Sequence, residues 1–400
     1  MSATAATHSG ITVKDLGGPF DTRQHLAHAA KQAAARRYND LFIVDVDSHH
    51  FENDSWGEIF AYLEDPVQRQ RFEASANRLG RTAVTPVPIG DQDVAGRIRR
   101  SVERLDEVVA GDSPHRDVVL SRRYMESLGI DYSIIFPTPM LHLGLHPDVE
   151  VEVGLARAYA HWLSERVLNV DSSIKTMLYL PFNDPEASLK LVEDFTDQAG
   201  VVGFMVTSTR YRPVHHNSYM RLYAALEERN MPLGFHATYN WQDRPMEQLN
   251  RFLSVHALGF PFYNMVHMTN WVVNGLPERF PGLDVVWIEG GLAWVPFLMA
   301  RLDHEYGMRS SEAPLLKRLP SEYIREMYFS SQPLERTDLS TLEFTLKKIN
   351  AETQLMYASD YPHWDFDPPS VIYDLPFLDD PAKRQILGEN ARRVFRLDER

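Results

Sequence analysis

The stretch LFIVDVDSHH, residues 41–50, decides the fold, because an apolar run here passes into alternating aspartates and then two histidines. Side chains of a strand alternate between its two faces, so Asp47 and His49 lie on the same face. The pair can therefore offer a carboxylate oxygen and an imidazole nitrogen to one ion. Asp45 shares this face one pleat deeper and is predicted to be a structural carboxylate. His50 is predicted to turn away and to pack or form hydrogen bonds elsewhere.

Seven further apolar runs bounded by turn residues follow the first, and amphipathic helical patterns lie between most of them. The runs are rich in Val, Ile, Phe, Met and Tyr and mostly lack polar alternation, which is typical of parallel strands covered on both faces. Eight strands alternating with helices predict an α/β fold, a closed (β/α)8 TIM barrel. The seven runs are DYSIIFP (131–137), IKTMLYLP (174–181), VVGFMVT (201–207), PLGFHA (232–237), DVVWIE (284–289), EMYFSS (326–331) and LMYASD (355–360).

The domain organisation predicted from these runs is one barrel with additions. Residues 1–40 form an N-terminal arm that packs on the body or on a neighbouring subunit, and residues 41–400 form the barrel. Two stretches, at about 50–130 and 238–283, are too long for simple connections and are predicted to be insertions over the catalytic mouth. The first insertion carries a charged helical pattern, RIRRSVERLDEVV, at 97–109.

The composition excludes several classes of function. Hydrophobic residues make up 44% and charged residues 24%, close to the average of a soluble globular protein. A net charge of −14 argues against nucleic-acid and membrane partners, because both surfaces are anionic. Cysteine is absent, which excludes thiolate catalysis, disulfides and sulfur-ligated metals. No signal-peptide core and no apolar run of about 18 residues occurs, so we expect a cytoplasmic protein. We also expect its substrate to be a small molecule.

Ionisable residues end four of the predicted strands. Asp47 and His49 end the first strand, His236 the fifth, Glu289 the sixth and Asp360 the eighth. In a parallel barrel the carboxyl ends of all strands open onto one face, so these side chains are predicted to converge there. Two histidines and two aspartates suit Zn²⁺, Mn²⁺, Fe²⁺ or Co²⁺. Each residue taken alone has a structural alternative, such as a hydrogen-bonded histidine or an aspartate that caps a turn.

Aromatic and basic residues crowd the same predicted mouth. Tyr239 and Trp241 follow the fifth strand, and His363 and Trp364 follow the eighth. Such rings could stack on a flat, conjugated substrate. Arg210, beyond the fourth strand, could hold a substrate carboxylate through two hydrogen bonds. The alternative for the aromatic residues is packing within the loops.

Several motifs in order along the chain carry a family resemblance. They are DVDSH at the first strand, GFHA at the fifth, ERFPGLDVVWIEGGLAWVPFLMARLDHEY around the sixth, ASDYP at the eighth and GENARRVFRL near the end. Together they resemble the amidohydrolase-related (amidohydrolase 2) proteins of the aminocarboxymuconate-semialdehyde decarboxylase type, over roughly residues 40–395.

The resemblance implies a barrel that holds one divalent metal ion. Carried over by position, its metal residues are Asp47, His49, His236 and Asp360, and Asp360 also exchanges a proton. Zn²⁺ is the ion expected, with Mn²⁺ and Fe²⁺ as alternatives. Because many such proteins dimerise and the arm needs a surface, we expect a homodimer or a higher homo-oligomer.

Two departures from the family pattern bear on the reaction. Asp47 stands where many relatives have histidine, and Glu289 stands where the decarboxylases place a histidine after the sixth strand. A glutamate can act as a general base beside a metal-bound water, which favours hydrolysis.

We therefore expect a metal-dependent hydrolase of a small cyclic or conjugated organic acid, in aromatic or heterocyclic catabolism, with Asp360, Glu289 and His236 as catalytic residues. One alternative is a non-oxidative, metal-dependent decarboxylase of an aromatic or muconate-like acid. A second alternative is a barrel without catalysis that serves as a binding subunit.

Overall fold

The computed structural model describes residues 6–8, 11–13, 21–79, 107–111, 113–207, 212–240 and 244–398. All eight predicted strands are present, and we number them along the chain. They are β1 Val44–His50, β2 Tyr132–Pro137, β3 Ile174–Tyr179, β4 Val201–Val206, β5 Leu233–His236, β6 Val285–Ile288, β7 Tyr328–Ser330 and β8 Leu355–Met356. Outside this sheet, Ala6–His8 and Ile11–Val13 form a short antiparallel hairpin.

The eight strands form one sheet in which each strand pairs in parallel with the next along the chain. The last strand then returns to the first. The backbone N–H of Val46 donates to Tyr357 O at 3.0 Å, and the N–H of Asp360 donates to Asp47 O at 2.7 Å. These bonds join the β8 segment to β1, which confirms the predicted (β/α)8 barrel.

Helices alternate with the strands around this sheet. Their bounds are α1 Thr22–Arg36, α2 Trp56–Ile59, α3 Pro66–Leu79, α4 Arg116–Leu128, α5 Val149–Leu163, α6 Pro185–Phe195, α7 Met220–Glu228, α8 Phe252–Val273, α9 Leu276–Arg279, α10 Trp294–Arg309, α11 Pro320–Ile324, α12 Leu339–Lys348, α13 Ala351–Gln354, α14 Ser370–Tyr373, α15 Asp380–Arg384 and α16 Asn390–Phe395. The helix α6 begins at an Asp-Pro pair, in which the Asp184 side chain accepts hydrogen bonds from the backbone N–H groups of Glu186 and Ala187.

The strands lie between two apolar layers. All seven residues of β1 are buried, because its inner face fills the barrel while its outer face packs under the helices. Inside and outside positions are therefore equally shielded from water on this strand. Polar side chains on it need a partner on whichever side they point.

The predicted additions are only partly described. The helix α1 of the arm packs on the body, where Arg36 Nη2 lies 2.6 Å from Asp374 Oδ2. The helix α8 occupies much of the second stretch, whereas most of the charged segment at 97–109 lies outside the described residues. The division into arm, barrel and insertions stays a prediction. Within the described ranges, no helix is both long enough and apolar enough to cross a membrane.

Candidate metal centre

Two histidines from opposite sides of the barrel meet at its centre. His49 comes from β1 and His236 from the end of β5, and their Nε2 atoms lie 3.3 Å apart. His49 Nδ1 is 3.2 Å from Pro137 O, and His236 Nδ1 is 2.8 Å from Ala237 O. A carbonyl oxygen only accepts, so each Nδ1 carries the proton and each Nε2 is left with a lone pair. This tautomer is the one that binds metals through Nε2.

The carboxylate of Asp47 faces these two lone pairs. Its Oδ1 lies 3.3 Å from His49 Nε2 and 3.4 Å from His236 Nε2. Asp47 is fully buried, yet neither of its oxygens has a hydrogen-bond partner of acceptable geometry. Three buried acceptor atoms thus point at one another with no proton between them. A cation is the group that satisfies such a set, so these residues fit a divalent metal ion bound by nitrogen and oxygen.

Two further carboxylates reach the centre from the ends of β6 and β8. Asp360 Oδ1 lies 3.4 Å from His49 Nε2 and 2.5 Å from His363 Nδ1. Glu289 Oε2 lies 3.5 Å from His236 Nδ1 and has no hydrogen-bond partner. The structure therefore brings together all five of the predicted strand-end residues.

Both of these carboxylates sit on strained backbone. Glu289 has φ 55° and Asp360 has φ 61°, values in the left-handed region that favours glycine. Such residues cost on the order of 1 kcal/mol each and cluster at functional sites. The described residues include four other non-glycine cases, Arg37, Asn230, Asn350 and Arg396, each at or beside a helix end. Only the pair in the barrel mouth lacks that ordinary explanation.

Electrostatics separates the roles of the buried groups. Burial by itself would raise the pKa of Asp47, but the adjacent His236 ring outweighs burial and lowers the pKa. Burial and the nearby His363 lower the pKa of His49 to about 3, so its ring is neutral. Burial and neighbouring carboxylates raise the pKa of Asp360 well above its ordinary value. The centre thus combines an ionised aspartate, a neutral histidine and an aspartate that favours its protonated form.

The other two ionisable residues of β1 point to structural partners. The Asp45 carboxylate accepts hydrogen bonds from the Ser359 N–H at 2.9 Å, the Ser359 hydroxyl and the Asp47 N–H at 3.1 Å. It therefore ties β1 to the segment after β8. His50 pairs with Asp117 Oδ2 at 2.8 Å and with the Tyr159 hydroxyl at 2.7 Å, on the outer side of the strand.

The predicted substrate-binding residues have different surroundings. His363 pairs with Asp360 through Nδ1, whereas Trp364 is 38% exposed. Tyr239 packs beside Phe252 and Phe260, with ring centroids 5.7 Å away in both cases. Arg210 and Trp241 lie outside the described residues.

A supporting residue that the motifs did not indicate is Glu52, just beyond β1. It is fully buried, and it accepts hydrogen bonds from the N–H groups of Thr138 at 2.9 Å and Met140 at 2.7 Å. The Thr138 hydroxyl lies 3.4 Å from His363 Nε2, so the chain of contacts ends at Asp360. The sequence feature that could have indicated this role is a glutamate close to the His49–His50 pair.

With this geometry established, similarity to known proteins can be stated. Residues 20–397 match a family model described as Amidohydrolase. Among curated proteins, the gamma-resorcylate decarboxylase of Rhizobium radiobacter is 23% identical over 271 residues, which are 64% of this chain and 80% of that protein.

Solved structures show the same fold. The 5-carboxyvanillate decarboxylase of Sphingomonas paucimobilis gives a TM-score of 0.64 at 21% identity, over 90% of this chain and 100% of that one. A dihydroxybenzoic acid decarboxylase of Polaromonas sp. JS666, solved with bound manganese and the inhibitor 2-nitroresorcinol, gives 0.60 at 16% identity, over 90% of this chain and 98% of that one.

These relatives overturn the expected hydrolysis. Several curated proteins that this chain resembles are gamma-resorcylate decarboxylases, so the prediction of a hydrolase was wrong and its decarboxylase alternative is the better one. The prediction depended on Glu289 as a general base. Burial, with repulsion from Asp360 and Asp47, raises the pKa of Glu289 well above its ordinary value.

Proposed function

Since the chain belongs to the amidohydrolase family, an enzyme family, we propose that it is a metal-dependent, non-oxidative decarboxylase of an aromatic acid. The observation that carries the proposal is the set of facing acceptors of Asp47, His49 and His236, which needs a cation, in a chain whose curated relatives are gamma-resorcylate decarboxylases. The substrate is a small aromatic acid, processed in aromatic catabolism.

The ion is held by Asp47, His49 and His236, with Asp360 beside it. A divalent cation held by these residues would supply positive charge that offsets the substrate carboxylate. Manganese is favoured over the zinc first expected, because it is the ion named in a related decarboxylase structure. Nitrogen and oxygen donors without sulfur suit it. A homodimer or higher oligomer stays a prediction.

Asp360 is the proton donor. Its buried carboxyl favours the protonated form and is held by His363, so it can deliver a proton to the ring carbon that bears the carboxylate. The new C–H bond forms there, the C–C bond to the carboxylate breaks, its electron pair returns to the ring and CO₂ leaves. Asp360 regains a proton from solvent for the next turnover. Trp364, partly exposed at the rim, offers a face to a flat ring.

The test is the reaction of the manganese-loaded enzyme with 2,6-dihydroxybenzoate and 5-carboxyvanillate in D₂O. We expect release of CO₂ and one deuterium on the ring carbon that carried the carboxylate. Incorporation of ¹⁸O from labelled water into an organic product, without CO₂, would show hydrolysis and contradict the proposal.

A variant separates proton transfer from metal binding. Asp360→Asn should lose decarboxylation while still binding Mn²⁺, because the amide cannot donate the carboxyl proton. Glu186→Gln, an exposed substitution on α6 paired with Arg221, serves as the control and should keep full activity. An active Asp360→Asn enzyme would assign the proton to another residue.

A further inference from the structure

We propose that Glu289 is a fourth protein ligand of the cation, presented by a braced turn in which Glu335 is the positioning residue. This inference rests on the metal site of the proposed function. Asp47, His49, His236 and Glu289 each offer a donor atom, and these atoms all lie within 4.8 Å of one another. The four residues that the resemblance assigned to the metal include Asp360 in place of Glu289.

The hydrogen bonds distinguish Glu289 from Asp360. Asp360 Oδ1 is engaged by His363 Nδ1 at 2.5 Å. Glu289 is only 7% exposed, and its Oε2 lies 3.5 Å from His236 Nδ1 without a hydrogen-bond partner of acceptable geometry. An unpartnered buried carboxylate oxygen is an unfavourable arrangement that a bound cation relieves. The same description applies to Asp47, which is already a ligand of the proposed site.

The backbone at and beside Glu289 is held in place by two neighbouring side chains, those of Ser330 and Trp294. The Glu289 N–H donates to Ser330 Oγ at 3.0 Å, at the end of β7. Trp294 Nε1 donates to Gly290 O at 2.8 Å and to Gly291 O at 2.9 Å. The left-handed φ of 55° is thus fixed from both sides of the turn, as expected where strain serves to aim a side chain.

Glu335 completes this brace from the loop after β7. Its carboxylate oxygens accept from the Leu292 N–H at 3.1 and 3.2 Å, and Oε1 accepts from the Ala293 N–H at 3.3 Å. Gly291 lies in this turn with φ 64°, a left-handed conformation that favours glycine, and a Cβ atom on it would lie 2.5 Å from Glu335 Oε1. The carboxylate therefore links β7 to the turn that carries Glu289, without touching the metal centre itself.

The experiment uses Zn²⁺ as a probe ion in place of Mn²⁺ and measures its dissociation constants by chelator competition, with the full chain freed of metal and no substrate present. Glu289→Gln should weaken binding at least roughly 100-fold, beyond the roughly 10- to 100-fold effect of residues that only support a ligand. Glu335→Ala should weaken it by roughly 10-fold with the thermal unfolding temperature of the metal-free protein unchanged. Glu343→Gln, which removes a carboxylate paired with Lys347 on α12, should bind like the wild type.

A structure determined with Zn²⁺ bound gives the direct answer, and we expect a Glu289 oxygen at about 2.0–2.2 Å from the ion. An unchanged dissociation constant in Glu289→Gln, or a Glu289 oxygen beyond hydrogen-bonding range of the ion, would overturn the inference. Wild-type protein that binds no metal would instead overturn the proposed function. Equal constants for Glu335→Ala and wild type would remove Glu335 from the positioning role.

Discussion

The two adjacent histidines of β1 make the most informative comparison in the molecule. His49 and His50 are both buried, at 4% and 6% exposure. His50 has a partner on each nitrogen and stacks on Trp162 at 5.8 Å between centroids. His49 has a backbone partner on Nδ1, but its Nε2 faces the lone pairs of His236 and Asp47.

The difference teaches that burial does not distinguish a functional histidine from a structural one. What distinguishes them is whether both ring nitrogens have a suitable hydrogen-bond partner within the protein. The network around His50 is complete, so it can only stabilise the fold. The acceptor atoms around His49 have no positive charge among them, so they are arranged to bind a cation that the chain itself does not supply.

Replacing each histidine by phenylalanine tests this contrast, and the largest expected effect is on activity, at His49. His49→Phe should lower decarboxylation by roughly 10³-fold, because a metal ion supplies several kcal/mol of charge stabilisation. The metal-free variant should unfold no earlier than the wild type, since the change removes one of the facing acceptors. Activity assays and thermal unfolding measure the two effects. Retained activity with bound metal would contradict the ligand role.

His50→Phe should show the opposite result. The ring can still stack on Trp162, but Asp117 loses a buried charge-assisted hydrogen bond, at a cost of about 2–4 kcal/mol of unfolding free energy. Denaturant unfolding measures that loss, while the Mn²⁺ dissociation constant should stay within about threefold of the wild type. A variant as stable as the wild type would show that the outer network does not support the barrel.

Metal addition tests the same comparison without changing the wild-type chain. Mn²⁺ at 100 times its dissociation constant should stabilise the wild type by about 2.7 kcal/mol, because only the folded protein presents the site. His50→Phe should gain as much, whereas His49→Phe should gain nothing. The readout is the thermal unfolding temperature with and without the ion. Equal gains in all three proteins would place the ion elsewhere.

The smallest expected effect is a pH dependence of the free energy of unfolding. It comes from a second buried hydrogen-bond network, the one around Glu152. Burial raises the pKa of Glu152 to about 7, against hydrogen bonds from Asn183 and Tyr179. The folded protein therefore binds a proton that the unfolded chain has released, so stability should fall as pH rises from about 4.5 to 7. The loss is on the order of 1–2 kcal/mol.

Glu152→Gln should make that part of the pH profile of unfolding free energy less steep, because the amide does not titrate. The remaining slope comes from Asp45 and Glu52, since burial raises the pKa of each to about 7. The exposed substitution Glu186→Gln on the neighbouring helix α6 is the matched control and should leave the profile unchanged. A Glu152→Gln profile with the wild-type slope would assign the pH dependence to other groups.

Much of the fold and part of the centre could be predicted from the sequence. Apolar runs located all eight strands, since strand formation here is decided locally by buried side chains. The period of β1 correctly separated His49 from His50, and the closure of a barrel explained why His236 and Asp360 join them.

The rest depends on contacts between residues distant in sequence. The left-handed backbone of Glu289 is fixed by Glu335 and Trp294 through hydrogen bonds that no periodicity reveals. The sequence also does not show the buried carboxylates around Glu289, which raise its pKa. Without that information Glu289 was predicted to be a general base, and the prediction of a hydrolase that followed was wrong. Glu52 escaped notice for the same reason, because its partners are backbone groups beyond β2.

The backbone bonds that join β8 to β1 have a consequence for the order of biosynthesis. The N–H of His49 donates to Tyr361 O at 2.5 Å, beside the bond between Asp360 and Asp47. The centre is therefore assembled at the seam where the beginning and the end of the barrel meet. A nascent chain that has not yet delivered residue 360 carries the proposed ligands but lacks the proposed proton donor and the backbone bonds that close the ring beside His49. The site is therefore complete for catalysis only after the last strand has been made.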